Sequence, residues 1–284
     1  MNKKILVSLS IIGIISAIAI GATTAYFSDT ETSEGNTFTA GSIDLKVDNH
    51  CYYNGIECIF DQSANKYCWD ENNSGYCESE EETCTCTWEL KDLGDNDLFF
   101  DFSDLKPGDW GEDTVSLHVN NNDAWACVTF KEMESKDNTC TEPEGKDENK
   151  PSPGQCDEPG ELAENLYFVF WVDDGDNVYE PLEEKIITSG WASDLLPGST
   201  TYPIADNTFS IAGNPGTPLT GGEDYHIGKM WCFGDLDWST ATSSDNWTCD
   251  GSGVGNAPQT DSLTGDVEFY VVQARNNSNF ICSH

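Results

Sequence analysis

Residues 166–172 read LYFVFWV, with no polar side chain on either face of the run. Seven such residues are too few for a buried helix and favour pleated sheet, so the stretch reads as a strand covered on both sides. Residues 125–130 (WACVTF) and 270–272 (YVV) are of the same kind and belong with it in the middle of a sandwich. Around them lie strands of strict alternation: Ile43, Leu45, Val47; Leu98, Phe100, Phe102; Val115, Leu117, Val119; and Val267, Phe269, Val271. Period-two patterning marks half-buried antiparallel strands, and the stretches between them are full of Gly, Pro, Asn and Asp. Helix is confined to about a turn each at 160–165 and 193–196. The expectation is an all-β, jelly-roll-like antiparallel β-sandwich of eight or nine strands.

Three stretches break the strand rhythm and read as long, disulfide-rich loop insertions. Residues 51–86 carry six cysteines among polar and acidic neighbours, with too few apolar residues for a core of their own. Residues 132–161 form a charged, Pro-rich excursion suited to closure by Cys140 and Cys156, and 190–224 is rich in Gly, Pro, Ser and Thr. The twelve cysteines are Cys51, Cys58, Cys68, Cys77, Cys84, Cys86, Cys127, Cys140, Cys156, Cys232, Cys249 and Cys282. Their even number and the absence of CxxC pairs read as disulfides made in an oxidising compartment. Cys84 and Cys86 point the same way from an extended strand but lie too far apart to bond to each other.

All of these cysteines follow an export segment. Lys3 and Lys4 precede an apolar run from Ile5 to Ile20, and Gly21, Ala22, Thr23, Thr24 and Ala25 supply the small residues of a cleavage site. Residues 1–25 therefore read as a signal peptide cut between Ala25 and Tyr26, ahead of one β-sandwich domain at 26–284. Retention as a membrane anchor is the alternative, since the run nearly reaches the ~20 residues that span a bilayer. The chain carries 13 basic and 51 acidic residues, a net charge of −38. Loss of the two leader lysines takes the mature chain to 11 − 51 = −40. A field of that sign repels nucleic acid and anionic lipid, so no nucleic-acid partner is expected, and membrane contact only through an uncleaved signal.

Directly after LYFVFWV come Asp173, Asp174, Gly175, Asp176 and Asn177, followed by Glu180, Glu183 and Glu184. Hard oxygen ligands on a Gly-containing turn suit Ca²⁺, which takes 6–8 oxygens. Asp173, Asp174, Asp176, Asn177, Glu180 and Glu183 are the expected ligands and Ca²⁺ the expected cofactor. Gly175 comes too early for an EF-hand. A solvated acidic turn is the competing reading.

Residues 21–47, GATTAYFSDTETSEGNTFTAGSIDLKV, combine a small-residue cut site, an aromatic YFSD start, an NTFTAG turn and an alternating IDLKV strand. This resembles the TasA/camelysin family, whose members are exported with a SipW-type signal peptide. A second block, LKPGD at 105–109 followed by VSLHV and Asn120, Asn121 and Asn122, is similar to the family's L-x-PGD turn and Asn-rich strand end. The resemblance implies a jelly-roll fold, processing by a SipW-like signal peptidase just before Tyr26, and extracellular or cell-surface localisation. For TasA-like members it also implies self-association into fibres, the freed N-terminal segment of one subunit completing the sheet of the next. Residues 26–38 are then the donor segment, with Tyr26, Phe27 and Phe38 as its apolar anchors. The alternative is that they fold back as an edge strand of their own domain. The cysteine-rich and Asp-rich stretches are departures from the family pattern.

Camelysin implies a metallo-endopeptidase. Zinc hydrolysis needs about three His or carboxylate ligands with an open position. The histidines are His50, His118, His226 and His284, no two within five residues, and no HExxH occurs. There is no GxSxG elbow or Walker loop, and GSGVG at 251–255 reads as a plain loop. No catalytic residue is assigned. The expected function is a non-enzymatic, secreted structural subunit of fibres or of a biofilm or surface matrix. A metallo-endopeptidase and a monomeric Ca²⁺-dependent binding module are the rivals.

Overall fold

The computed structural model of the chain describes residues 28–32, 44–78, 83–94, 97–100, 102, 104–147, 159–181, 184–238 and 247–283. Along these run β1 (Ser28–Thr32), β2 (Asp44–Tyr53), β3 (Ile56–Asp61), β4 (Lys66–Trp69), β5 (Trp88–Lys91), β6 (Trp110–Asn120) and β7 (Ala124–Lys136). There follow α1 (Glu142–Asp147), α2 (Leu162–Asn165), β8 (Leu166–Asp173), β9 (Lys185–Trp191), α3 (Ala192–Leu195) and β10 (Thr200–Ala205). The last are β11 (Asp224–Phe233), β12 (Asp235–Asp237), β13 (Thr248–Asp250) and β14 (Ser262–Gln273). A four-stranded sheet in the order β1-β14-β7-β10 faces a larger one in the order β4-β3-β2-β6-β11-β8-β9, with β5 also paired to β2. Pairing within them is antiparallel throughout. The protein is an all-β sandwich.

Period two decides which side chains enter the core. Leu45 and Val47 on β2, Val115, Leu117 and Val119 on β6, and Ile227, Trp231 and Phe233 on β11 pack against Val267, Phe269 and Val271 on β14. Burying each such side chain contributes about 1.5–3 kcal/mol. The LYFVFWV strand is covered on both faces, as its composition requires: Leu166 and Phe168 join that core. Val169 and Trp171 pack instead with Met230 and Tyr179 on the outer face of the large sheet. Trp171 lies flat across Gly228, its register partner, where a Cβ would meet the indole at 2.0 Å. Glycine is required there for close approach.

Residues 51–86 differ from the expected insertion. Cys51 lies within β2, and β3 and β4 extend the large sheet as a ribbon. Asn54 and Gly55, both at positive φ, make the two-residue hairpin between β2 and β3. Disulfides do hold the ribbon: Cys51–Cys86, Cys58–Cys84 and Cys68–Cys77 nest one inside the next. Cys127–Cys282 fastens the C-terminal segment to β7, and Cys232–Cys249 ties β11 to β13. Cys140 is disulfide-bonded, and Cys156 lies outside the described residues.

Leu98, Phe100 and Phe102 do not form the expected strand. Their stretch makes no ladder because its groups are used singly: Phe99 enters the core edge-on to Trp88, and its carbonyl accepts from Lys229 Nζ at 2.9 Å. Two loop readings are also shortened. Residues 190–224 contain β10, which pairs with β7, and residues 132–136 are the end of β7 itself. Of the expected helical turns, 160–165 holds α2 and 193–196 overlaps α3, whereas α1 was not legible.

Candidate functional site

The donor segment is described only at its centre. Ser28–Thr32 is an edge strand, antiparallel to β14 of the same chain, with Ser28 opposite Val272 and Thr32 opposite Glu268. In this structure the segment therefore completes its own sheet. Ala25, Tyr26, Phe27 and Phe38, with the whole export segment, lie outside the described residues. No helix among the described residues is long and apolar enough to cross a membrane.

The acidic loop begins where β8 leaves the large sheet. Asp173 is 5% exposed, and its Oδ2 accepts from the Thr114 hydroxyl at 2.8 Å and from the Asn177 amide at 3.3 Å. Its Oδ1 is buried and accepts no hydrogen bond. Glu184 folds back over the loop, accepting from the backbone N–H groups of Asp174 at 3.1 Å and Glu180 at 2.9 Å. These contacts make two overlapping carboxylate groups, Asp173–Asp174–Glu184 and Asp174–Asp176–Glu180, each with oxygens within 4.8 Å of one another. Burial pushes the Glu184 carboxyl up to about 7, the neighbouring Asp173 and Glu180 charges adding to it. Asp176 is raised too, by burial and then by Asp174. Asn177 turns its Oδ1 to the Thr114 hydroxyl at 2.9 Å, and Glu183 lies outside the described residues. The structure thus gathers Asp173, Asp174, Asp176 and Glu180 and adds Glu184.

A separate carboxylate group, away from the loop, joins Asp137, Glu144 and Asp261, again within 4.8 Å. Glu144 is fully buried and accepts from the Thr141 amide at 2.8 Å. Asp261 accepts from the Leu162 amide at 3.0 Å, and burial pushes its carboxyl up to about 6, with the Glu144 and Asp137 charges adding. These residues come from the end of β7, from α1 and from the start of β14, so no local spacing announces them.

A third polar cluster sits inside the sandwich. Asn49, Asp113 and Lys229 occupy inward positions of β2, β6 and β11, in phase with Val47, Val115 and Ile227, and are 1%, 0% and 2% exposed. Lys229 Nζ is 2.7 Å from Asp113 Oδ2, to which Asn49 Nδ2 also donates at 3.3 Å. Nζ lies 3.6 Å from the centre of the Phe100 ring. Desolvation raises the Asp113 carboxyl above its ordinary range and lowers the Lys229 amine below its own. The available signal was a polar residue at an inward position of each apolar strand.

The three described histidines do not converge, and His284 lies outside the described residues. His50 contacts Glu57 at 2.8 Å, His118 bridges Asp48 at 2.8 Å and Asp224 at 2.6 Å, and His226 contacts Ser116 at 3.0 Å. Among the described residues, none of the groups close enough to share a metal ion includes a histidine.

No curated protein matches the chain. A family model described as "Camelysin metallo-endopeptidase" matches residues 1–57, a stretch whose one histidine is His50. The likeness to that family is therefore confined to the N-terminal fifth of the chain.

Proposed function

We propose that the chain is a secreted structural subunit that assembles with copies of itself by exchange of its N-terminal strand. The observation that carries this reading is the position of β1. It is short, polar and at the edge of the small sheet, with β14 as its one partner strand among the described residues. Residues 33–43 join it to β2, and a chain of that length reaches up to roughly 35 Å. That is enough for the same strand to lie on β14 of its own subunit or of a neighbour. Main-chain hydrogen bonds to β14 serve equally in either place. Cleavage before Tyr26 would leave the segment free to move. The nested disulfides suit such a subunit outside the cell.

Ca²⁺ at the acidic loop is part of this reading, supported by carboxylate oxygens of Asp173, Asp174 and Glu184 within 4.8 Å of one another and by the buried Oδ1 of Asp173, which accepts no hydrogen bond. Divalent cations would also lower the self-repulsion of a chain of net charge −38. The peptidase described for the family finds no comparable support, because no histidine joins a ligand group among the described residues.

The test is negative-stain microscopy of protein beginning at Tyr26, with and without Ca²⁺, beside protein lacking residues 26–38. Fibres from the first and monomers from the second are expected. Fibres from both would overturn strand exchange.

A further inference from the structure

We propose that Lys229 and Asn49 become joined by an intramolecular amide bond, formed within the folded core with Asp113 as the proton carrier. The three side chains lie on adjacent strands of one sheet, β2, β6 and β11, and all point into the sandwich. Lys229 stands directly opposite Asp113 in the ladder, while Asn49 is diagonal to it, opposite Val115. Asp113 Oδ2 contacts both reacting side chains, Lys229 Nζ at 2.7 Å and Asn49 Nδ2 at 3.3 Å, and the Cys86 carbonyl accepts from Asn49 Nδ2 at 2.5 Å.

A plain buried ion pair is the simpler account, and the polar atoms argue against it. A charged pair deprived of water is tolerated when its remaining lone pairs are satisfied. Here the buried Oδ1 atoms of Asp113 and Asn49 accept no hydrogen bond. Such orphan acceptors in a core give up the hydration they had in the unfolded chain with nothing in return. In the reaction both are used: Asn49 Oδ1 is the amide oxygen on which charge develops, and Asp113 Oδ1 belongs to the acid that contacts the same amide through Nδ2.

The surroundings favour neutral partners. Burial moves the Asp113 carboxyl towards its protonated form and the Lys229 amine towards its free base. A free amine is the nucleophilic form of lysine. The Phe100 ring and the Phe99 carbonyl fix Nζ in place. Groups held this way react as if at very high concentration, and exclusion of water protects the product from hydrolysis.

The step balances without an external reagent. The Nζ lone pair adds to Cγ of Asn49 while Asp113 donates its proton to the amide oxygen and receives one from Nζ. Collapse of the adduct breaks the Cγ–Nδ2 bond: the leaving nitrogen takes its electron pair and the proton carried by Asp113, and the hydroxyl formed on Cγ returns its proton to Asp113 as the carbonyl re-forms. Lysine amine and asparagine amide thus give a secondary amide and one molecule of ammonia. Asp113 ends as it began.

Intact-mass measurement of the reduced and alkylated full chain tests this directly. The expected mass is lower by one ammonia than the sequence requires, with one fragment joining the peptides that bear Asn49 and Lys229. Asp113→Ala is expected to restore the full mass. An unmodified wild-type mass would overturn the proposal whether or not that variant folds. Loss of one water, with the link mapped to Asp113, would equally overturn the assignment of Asn49.

Discussion

Lys229 on β11 and Asp113 on β6 face each other across the ladder at 2.7 Å, their side chains 3% and 0% exposed. Removing the lysine strands the Asp113 carboxyl in the core, and an unpartnered buried polar group costs about 1–3 kcal/mol. Lys229→Met is therefore expected to lower the unfolding free energy by at least about that amount. Adding Asp113→Leu removes the stranded carboxyl and is expected to recover part of the loss. Urea denaturation of the two variants measures both. A double variant no more stable than the single one would show that burial of the carboxyl is not what the single replacement costs.

The cysteine-rich ribbon has its own acid-sensitive anchor. Asp61 Oδ1 accepts from the amide and hydroxyl of Ser63, both at 2.7 Å, and from the Ala64 amide at 3.1 Å. Its Oδ2 accepts from the Cys77 amide at 2.9 Å. These donors, the Ser63 hydroxyl foremost, hold its carboxyl near 2. A group depressed in the folded state contributes its stability above its unfolded value, near 4, and loses it as pH falls towards 2. Local loosening of β3 and β4 is expected across that window, followed by amide exchange of Cys77. In Asp61→Asn the protection of that amide, its exchange rate relative to the intrinsic rate at each pH, should no longer change across the window. A wild-type ribbon equally protected throughout the window would refute the assignment.

What the sequence disclosed and what it hid follow from the range of the interactions. β8 and β14 were legible because alternation and apolar runs are local records of burial, and their buried faces are as expected. β3 and β4 were hidden because a narrow ribbon tied by sulfur needs few apolar residues, so its strands carry no core signal. Leu98, Phe100 and Phe102 showed alternation without a ladder, since the Phe100 ring packs on Lys229 and Phe168 and the Phe102 ring on Trp231. The acidic loop was legible as one contiguous run. The Asp137–Glu144–Asp261 group and the Asn49–Asp113–Lys229 cluster were not, because tertiary pairing alone assembles them.

The loop after β8 gives a direct measurement. Ca²⁺ titrated into chelator-treated protein is expected to release or absorb heat and to raise Tm, by the equivalent of about 2.7 kcal/mol at roughly a hundred times Kd. Asp174 belongs to both carboxylate groups, so Asp174→Asn should weaken binding most, whereas Asp261→Asn should leave this loop's affinity unchanged. Calorimetry with no heat and no change in Tm up to millimolar Ca²⁺ would remove the ion from the proposed function.

Asp261 offers the opposite pH dependence to Asp61. Its carboxyl, raised from 3.8 to about 6 by burial and then by the nearby acids, binds a proton more tightly folded than unfolded. Stability from this group is therefore greatest below about pH 4, falls as pH rises to about 6, and stays low beyond. Asn in its place keeps an oxygen for the Leu162 amide, now 3.0 Å from Oδ2, and carries no charge at any pH. In chelator-treated protein, Asp261→Asn is expected to raise Tm near pH 8 and to leave it unchanged near pH 4, where the wild-type carboxyl is already neutral. Thermal unfolding at the two pH values decides it. A lower Tm for the variant near pH 8 would mean that the charged form of Asp261 is favoured in the folded protein, and that the carboxylates of Asp137 and Glu144 are not the source of its strain.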